Sequence, residues 1–231
     1  MLTMRRLLVL LATLAGAGLV ACSGGDDGES LTSLSADEIL EKARQAVSEA
    51  KSVRVSGDTV EDDGTKLGID YQISQTGTTG TVTVEGATFE ILVTGEDFLM
   101  KGDKEAWTTI TGEAGAGEVF AGRWVKVPTD DEDFEDLEGL ADWGLFVEKI
   151  FTPDGSFSKG ETKQIDGVEV IGLVDDGKDG GTLWIPVHDE PLPVQGIDED
   201  GLTIEFRDWG KPVTIQTPPA DEVIDLAKLA S

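Results

Sequence analysis

Cysteine, histidine and, beside its acids, basic residues are scarce in this sequence, and each shortage removes a class of function. There is one cysteine, Cys22, so no disulfide forms within the chain. There is one histidine, His188, in the turn Val187-His188-Asp189-Glu190-Pro191, so a Ser-His-Asp or Cys-His constellation could be assembled only around it. Lys and Arg total 18 against 46 Asp and Glu, a formal net charge of −28, and no basic cluster exceeds a pair. Phosphate backbones are gripped by basic patches, which excludes nucleic acid as a partner. Anionic headgroups are likewise repelled by the body of the protein. Neither a Gly-rich phosphate loop nor a dinucleotide fingerprint occurs. Acids are so abundant that a glycosidase-like carboxylate pair carries no information. No catalytic residue and no cofactor emerges, and the enzyme reading is the weakest of those the residues allow.

What is present starts at the N-terminus, where Arg5 and Arg6 precede an apolar run from Leu7 to Val20 that ends at Leu19-Val20-Ala21-Cys22. The run is shorter than the about 20 residues a bilayer-spanning helix needs. A basic start, an apolar middle and a small-residue end make a secretion signal. Leu-Val-Ala-Cys resembles the lipobox of bacterial lipoproteins, whose cysteine receives a diacylglycerol before the signal is cut off. Modification also explains an unpaired thiol on an exported chain. Residues 1–21 are therefore expected to be a lipoprotein signal peptide, and Cys22 the lipidated residue. Two or more acyl chains, at about 0.8 kcal/mol per buried methylene, anchor stably where one chain does not. The mature protein is expected on the extracytoplasmic face of the cell membrane, held by lipid without crossing it, and as a monomer.

Residues 22–34 complete the acylated cysteine and a tether. Ser23 to Ser33 reads SGGDDGESLTS, a flexible composition with a reach of roughly 20 Å. From Ser35 to the C-terminus a single domain is expected. Ser35-x-x-Glu38 is a capping box with Leu34 as its hydrophobic staple, and Ile39, Leu40, Ala43, Ala46, Val47 and Ala50 recur at helical spacing down to Lys51. The period then drops to two. Val53 and Val55, then Leu67, Ile69, Tyr71 and Ile73, then Phe89, Ile91 and Val93 alternate with polar residues, as half-buried antiparallel strands do. Turns are expected at Asp62-Asp63-Gly64, Thr79-Gly80, Glu85-Gly86 and Lys101-Gly102-Asp103.

Further strands are expected at Trp107 to Ile110 and Arg123 to Val127, around a Gly-rich loop from Gly112 to Gly117. The run Asp130 to Glu138, with seven carboxylates in nine positions, leads into a stripe of Leu137, Leu140, Ala141, Trp143, Phe146, Val147, Ile150 and Phe151. That stripe predicts a second helix, its acids at the positive end of the dipole. Strands return at Glu161 to Ile165, Val168 to Val174, Thr182 to Val187, Val194 to Ile197, Leu202 to Arg207 and Val213 to Gln216, with Asp166-Gly167 as a tight hairpin. The sum is an α+β domain: a curved antiparallel sheet with helices over its concave face.

In order along the chain stand the Cys22 lipobox, the helix running into Ser52-Val53-Arg54-Val55-Ser56-Gly57, and Asp97-Phe98-Leu99-Met100-Lys101-Gly102 before Trp107. They are followed by Gly122-Arg123-Trp124-Val125-Lys126-Val127, Leu183-Trp184-Ile185 leading to Pro191, and Phe206-Arg207-Asp208-Trp209-Gly210 with Pro218-Pro219. This succession resembles the LppX/LprG-type lipoproteins of actinobacteria, which share the half-barrel of the carrier LolA. The resemblance implies a cavity between sheet and helices that takes the acyl chains of lipids or glycolipids, for carriage or presentation in the cell envelope. Alternation alone nominates Val55, Ile69, Tyr71, Ile73, Ile91, Val93, Phe98, Trp143, Phe146 and Ile150 as lining.

A second reading is an envelope sensor or interaction module, in which the acidic face and exposed tryptophans such as Trp107 and Trp209 dock a membrane protein. The acidic run 130–138 and the segment Asp175 to Gly180 offer hard oxygen ligands, yet neither follows the EF-hand register, and no metal site is assigned.

Overall fold

The structure is a computed structural model that describes residues 30–60, 64–95, 97–128, 142–178, 180–197 and 203–229. The expected signal peptide, Cys22, the expected tether up to residue 29, the Asp62-Asp63 turn residues, the acidic run 130–138 and Leu137, Leu140 and Ala141 lie outside the described residues.

The first described elements are a 3-10 turn, Leu31–Ser33, and helix α1, Ala36–Ala50. Both halves of the capping box form: Ser35 Oγ accepts from Glu38 N–H at 3.3 Å, and Glu38 accepts from Ser35 N–H at 2.8 Å. Those two backbone donors would otherwise be orphans of the first turn. Lys51, at φ 64°, closes the helix in the left-handed conformation. Ile39, Ala43, Ala46 and Val47 form its buried stripe.

The strands are β1 Ser52–Val60, β2 Lys66–Ser74, β3 Gly77–Val84, β4 Ala87–Thr94, β5 Asp97–Gly102, β6 Trp124–Val127, β7 Phe157–Ile165, β8 Val168–Asp175, β9 Thr182–Pro186, β10 Gln195–Ile197, β11 Thr203–Arg207 and β12 Val223–Asp225. They join in one open sheet, ordered β12-β6-β5-β4-β3-β2-β1-β11-β10-β9-β8-β7. Every described pair is antiparallel except β12 on β6, so the sheet is mixed where a purely antiparallel one was expected. Between β11 and β12 the chain runs extended past Gly77, where Ile215 approaches, to the far edge of the sheet.

Register sets which residues look inward. Val55 is opposite Tyr71 on one side and Phe206 on the other, and Ile91 is opposite Met100. Curvature needs places where neighbouring backbones approach closely, and glycine supplies them. A Cβ on Gly80 would sit 2.4 Å from Asp70 O and Tyr71 Cα, and one on Gly57 would sit 2.4 Å from Thr203 O. Gly80 was expected in a turn; it lies mid-strand in β3, opposite Tyr71 and Ile91, and the turn falls at Gln75-Thr76. Lys101 and Gly102 likewise end β5. Asp166-Gly167 is the tight hairpin expected, both at positive φ.

The largest departure is at Trp107 to Ile110, expected as strand and found in helix α2, Lys104–Thr111. The β-branched run Thr108-Thr109-Ile110-Thr111 favours strand locally. Caps and burial override it: Asp103 Oδ1 accepts from Ala106 N–H at 2.8 Å, Gly112 ends the helix at φ 70°, and Thr108 and Thr111 turn their hydroxyls back onto the carbonyls of Lys104 and Trp107. The expected Gly-rich loop is largely helix α3, Ala114–Phe120, packed on α2 through Gly117, where a Cβ would meet Thr108 Oγ1 at 2.4 Å. Trp107 is 3% exposed, not a surface tryptophan. Trp209 is half-buried, its Nε1 donating to Pro193 O at 2.8 Å. No strand forms at Val213 to Gln216, where flanking prolines withhold ladder donors.

Helix α4, Trp143–Phe151, matches the second expected helix over its C-terminal part, and α5, Leu226–Leu229, ends the described chain. No helix among the described residues is long and apolar enough to cross a membrane.

Candidate functional site

Helices α1 and α4 lie side by side. Arg44 of α1 donates to Phe151 O at 2.9 Å and lays its guanidinium over the Phe151 ring at 5.8 Å, which satisfies the carbonyl end of α4. At the other end Asp142 caps α4 by accepting from Leu145 N–H at 2.9 Å. Lys159 of β7 donates to Thr32 O and Leu34 O, and Leu31 N–H to Val187 O, so the start of α1 is tied to the β7–β9 end of the sheet. These contacts hold α4 over the inner face with Trp143, Phe146 and Phe151 buried.

Beneath the C-terminal turn of α4 a cleft of about 270 Å³ remains unfilled. Ile150 forms its roof, and Phe157, Leu183, Ile197, Ile204 and Phe206 form its walls, from β7, β9, β10 and β11. Gly196 in β10 opens the floor. A Cβ there would find Phe206 at 3.6 Å, ordinary contact distance, so the absent side chain leaves space that nothing else occupies. Lys149, Thr152 and Asp175 rim the opening. Protein interiors are normally packed to crystalline density, and a hollow lined by apolar groups forfeits dispersion contacts. The cleft is thus a place where a guest gains what the chain's own side chains leave unused.

Asp175 holds the rim together. Its carboxylate accepts from the N–H groups of Asp154 at 2.8 Å, Gly155 at 3.1 Å and Gly177 at 2.9 Å, while Asp176 accepts from Ser156 N–H at 2.6 Å. Partial burial works against the charge of Asp175, but the donors from Gly177, Asp154 and Gly155 outweigh it and hold the carboxyl below the usual carboxylate range.

The residues nominated by alternation fall in three places. Val55, Tyr71, Ile73, Ile91, Val93 and Phe98 are buried in the continuous core, and Ile69 is half-buried against it. Trp143 and Phe146 fix α4 to that core, and Ile150 lines the cleft. Burial pushes the Tyr71 phenol up to about 12. The cleft walls Phe157, Leu183, Ile197, Ile204 and Phe206 were not nominated. The same two-residue alternation runs through β11 as Ile204 and Phe206 and was available to find those two.

His188 is exposed, its Nε2 3.2 Å from Glu169 Oε2. Among the described residues no group of three or more His, Cys, Asp or Glu side chains gathers as a metal site.

No protein-family model and no curated protein matches the chain. Among solved structures it is similar to LprF from Mycobacterium bovis, with a TM-score of 0.55 and 19% identity over 83% of this chain and 99% of that one. A conserved protein from Thermus thermophilus gives 0.41 and 14% identity, covering 82% and 98%, and a chain of the Pseudomonas aeruginosa MucA/MucB complex gives 0.36 and 14%, covering 80% and 59%. The two lower scores are too weak to establish a shared fold. An open curved sheet with helices over its inner face is the LolA-like fold, and this chain adopts it as LprF does.

Proposed function

We propose that this is a membrane-anchored lipoprotein whose cleft under α4 takes up a lipid or glycolipid acyl chain, for carriage or presentation in the cell envelope. The observation that carries the reading is the unfilled apolar cleft walled by Phe157, Leu183, Ile197, Ile204 and Phe206. Such transport needs no catalysis. Each methylene moved from water into the cleft gains about 0.8 kcal/mol, from which the cost of immobilising the chain is subtracted. In this reading residues 1–21 are the removed signal, Cys22 carries the acyl anchor, and residues 22–34 tether a domain that begins at Ser35. The LprF-like fold supports the reading, as does the lone cysteine at the end of an export signal.

Native mass spectrometry of the mature chain bearing Cys22→Ala, purified gently without detergent, tests it. The expected spectrum contains a lipid adduct, and the apoprotein is expected to take up a fluorescent fatty acid. A bare protein that takes up none leaves only the sheet's capacity to dock another protein.

A further inference from the structure

The cleft has an apolar interior and two charged residues at its rim, and the two are not equivalent. Asp175 accepts three backbone N–H groups, so its carboxylate is committed to the loops at 154–156 and 176–177. Lys149, in the last turn of α4, is exposed and has no ion-pair partner among the described residues. The other cation at this end of α4, Arg44, is engaged by the carbonyl and ring of Phe151. Among the described residues, then, a lysine stands without an ion pair at the mouth of the apolar cleft. Asp175 shares the rim and stays charged, but its three backbone donors offset part of that charge, which leaves Lys149 as the cation of the lining able to meet an anionic head.

Size adds a second constraint. At about 270 Å³ the cleft falls just under the about 300–1,000 Å³ of pockets that enclose a drug-sized ligand, so it takes part of a single acyl chain more readily than two chains side by side. Building on the lipid-binding reading, we propose that the cleft selects a single-chain amphiphile with an anionic head, its chain against Ile150, Leu183 and Ile204 and its head paired with Lys149. An ammonium is a point charge with rotatable donors, so a carboxylate and a phosphomonoester suit it alike, unlike the bidentate fork of an arginine. Lys149 also complements the helix dipole, and the comparison of charged and neutral ligands separates that role from head-group binding.

The experiment is a fluorescence titration of the full chain carrying Cys22→Ala with cis-parinaric acid and with its methyl ester, repeated on added Lys149→Ala and Lys149→Arg. The acid is expected to bind about three- to fivefold more tightly than the ester, the range of a partly exposed ion pair. Lys149→Ala should weaken the acid alone, and Lys149→Arg should restore the preference. Displacement of the probe by palmitate or by 1-palmitoyl lysophosphatidate distinguishes a carboxylate from a phosphate head. Equal binding of acid and ester, an alanine variant that weakens both, or a co-purified two-chain lipid overturns the inference while lipid binding stands. Failure of both probes on the wild-type chain overturns lipid binding and this inference together.

Discussion

Two glycines, one in each arm of the sheet, have opposite surroundings. In the arm β2–β6 a Cβ on Gly102 would lie 2.6 Å from the Phe89 ring, because that ring already fills the space. Trp107 of α2 stacks edge-on against Phe89 at 5.1 Å and against Phe120 at 5.3 Å, completing a solid wedge. In the arm β7–β11 the corresponding space above Gly196 has Phe206 at 3.6 Å and nothing closer, and the cleft follows. Both arms show the same alternation of apolar and polar residues. What separates them is what stands over the glycine: the Phe89 ring, backed by Trp107 of α2, lies against Gly102, whereas Phe206 stays at contact distance from Gly196 and α4, with Trp143 and Phe146 turned into the core, contributes Lys149 and Ile150 to the cleft lining.

Truncation should therefore cost more in the solid arm. Phe89→Ala is expected to lower the unfolding free energy by about 3–5 kcal/mol, and Ile204→Ala by about 1–2 kcal/mol, since a wall already beside a hollow loses fewer contacts. Urea denaturation with a common m-value measures both, and equal losses would erase the distinction between the arms. Next in size is an alkaline effect from the solid arm. Tyr71 is 7% exposed and its phenol is pushed up to about 12. Between its ordinary value near 10 and that raised value, the unfolded chain releases a proton the folded one keeps. Stability therefore falls as pH rises across this window, by at most about 1.4 kcal/mol per pH unit. Tyr71→Phe should flatten that part of the stability profile, and an unchanged slope would place its origin elsewhere.

The smallest effect on stability is expected from the most consequential change to the site. Gly196→Val replaces an unpacked strand glycine by a good strand former with room for its methyl groups, so the fold should change by about 0.5 kcal/mol or less. Uptake of the fluorescent fatty acid should nonetheless be lost, because the added side chain occupies the floor of the cleft. A variant that still binds would move the site away from Gly196.

Helix α1 was legible residue by residue, since a capping box, a staple and an apolar stripe are local signals that act within a few positions. Strands β1, β2, β4 and β6 to β11 were legible for the same reason, as alternation with turn residues between, and so was the Asp166-Gly167 hairpin; β12 was not foreseen, and the strand expected at Val213 to Gln216 did not form. Helix α2 was not. Its four-residue run of threonines and isoleucine favours strand, and the decision rests on burying Trp107 against Phe89, a neighbour reached only through the sheet. The cleft was partly legible: Ile150 was nominated, and its partners on β9–β11 were passed over in favour of core residues in the first half of the chain.

The sequence alone set the acidity, the basic-then-apolar start ending in Cys22, the alternation that makes the sheet's strands and the capped helix that packs on them. Each of these depends on composition or on residues close together in the chain. Which arm is filled and which is hollow was decided only in three dimensions. A void is the space left among side chains from α4 and from strands many residues apart, and no local pattern records a contact that is missing.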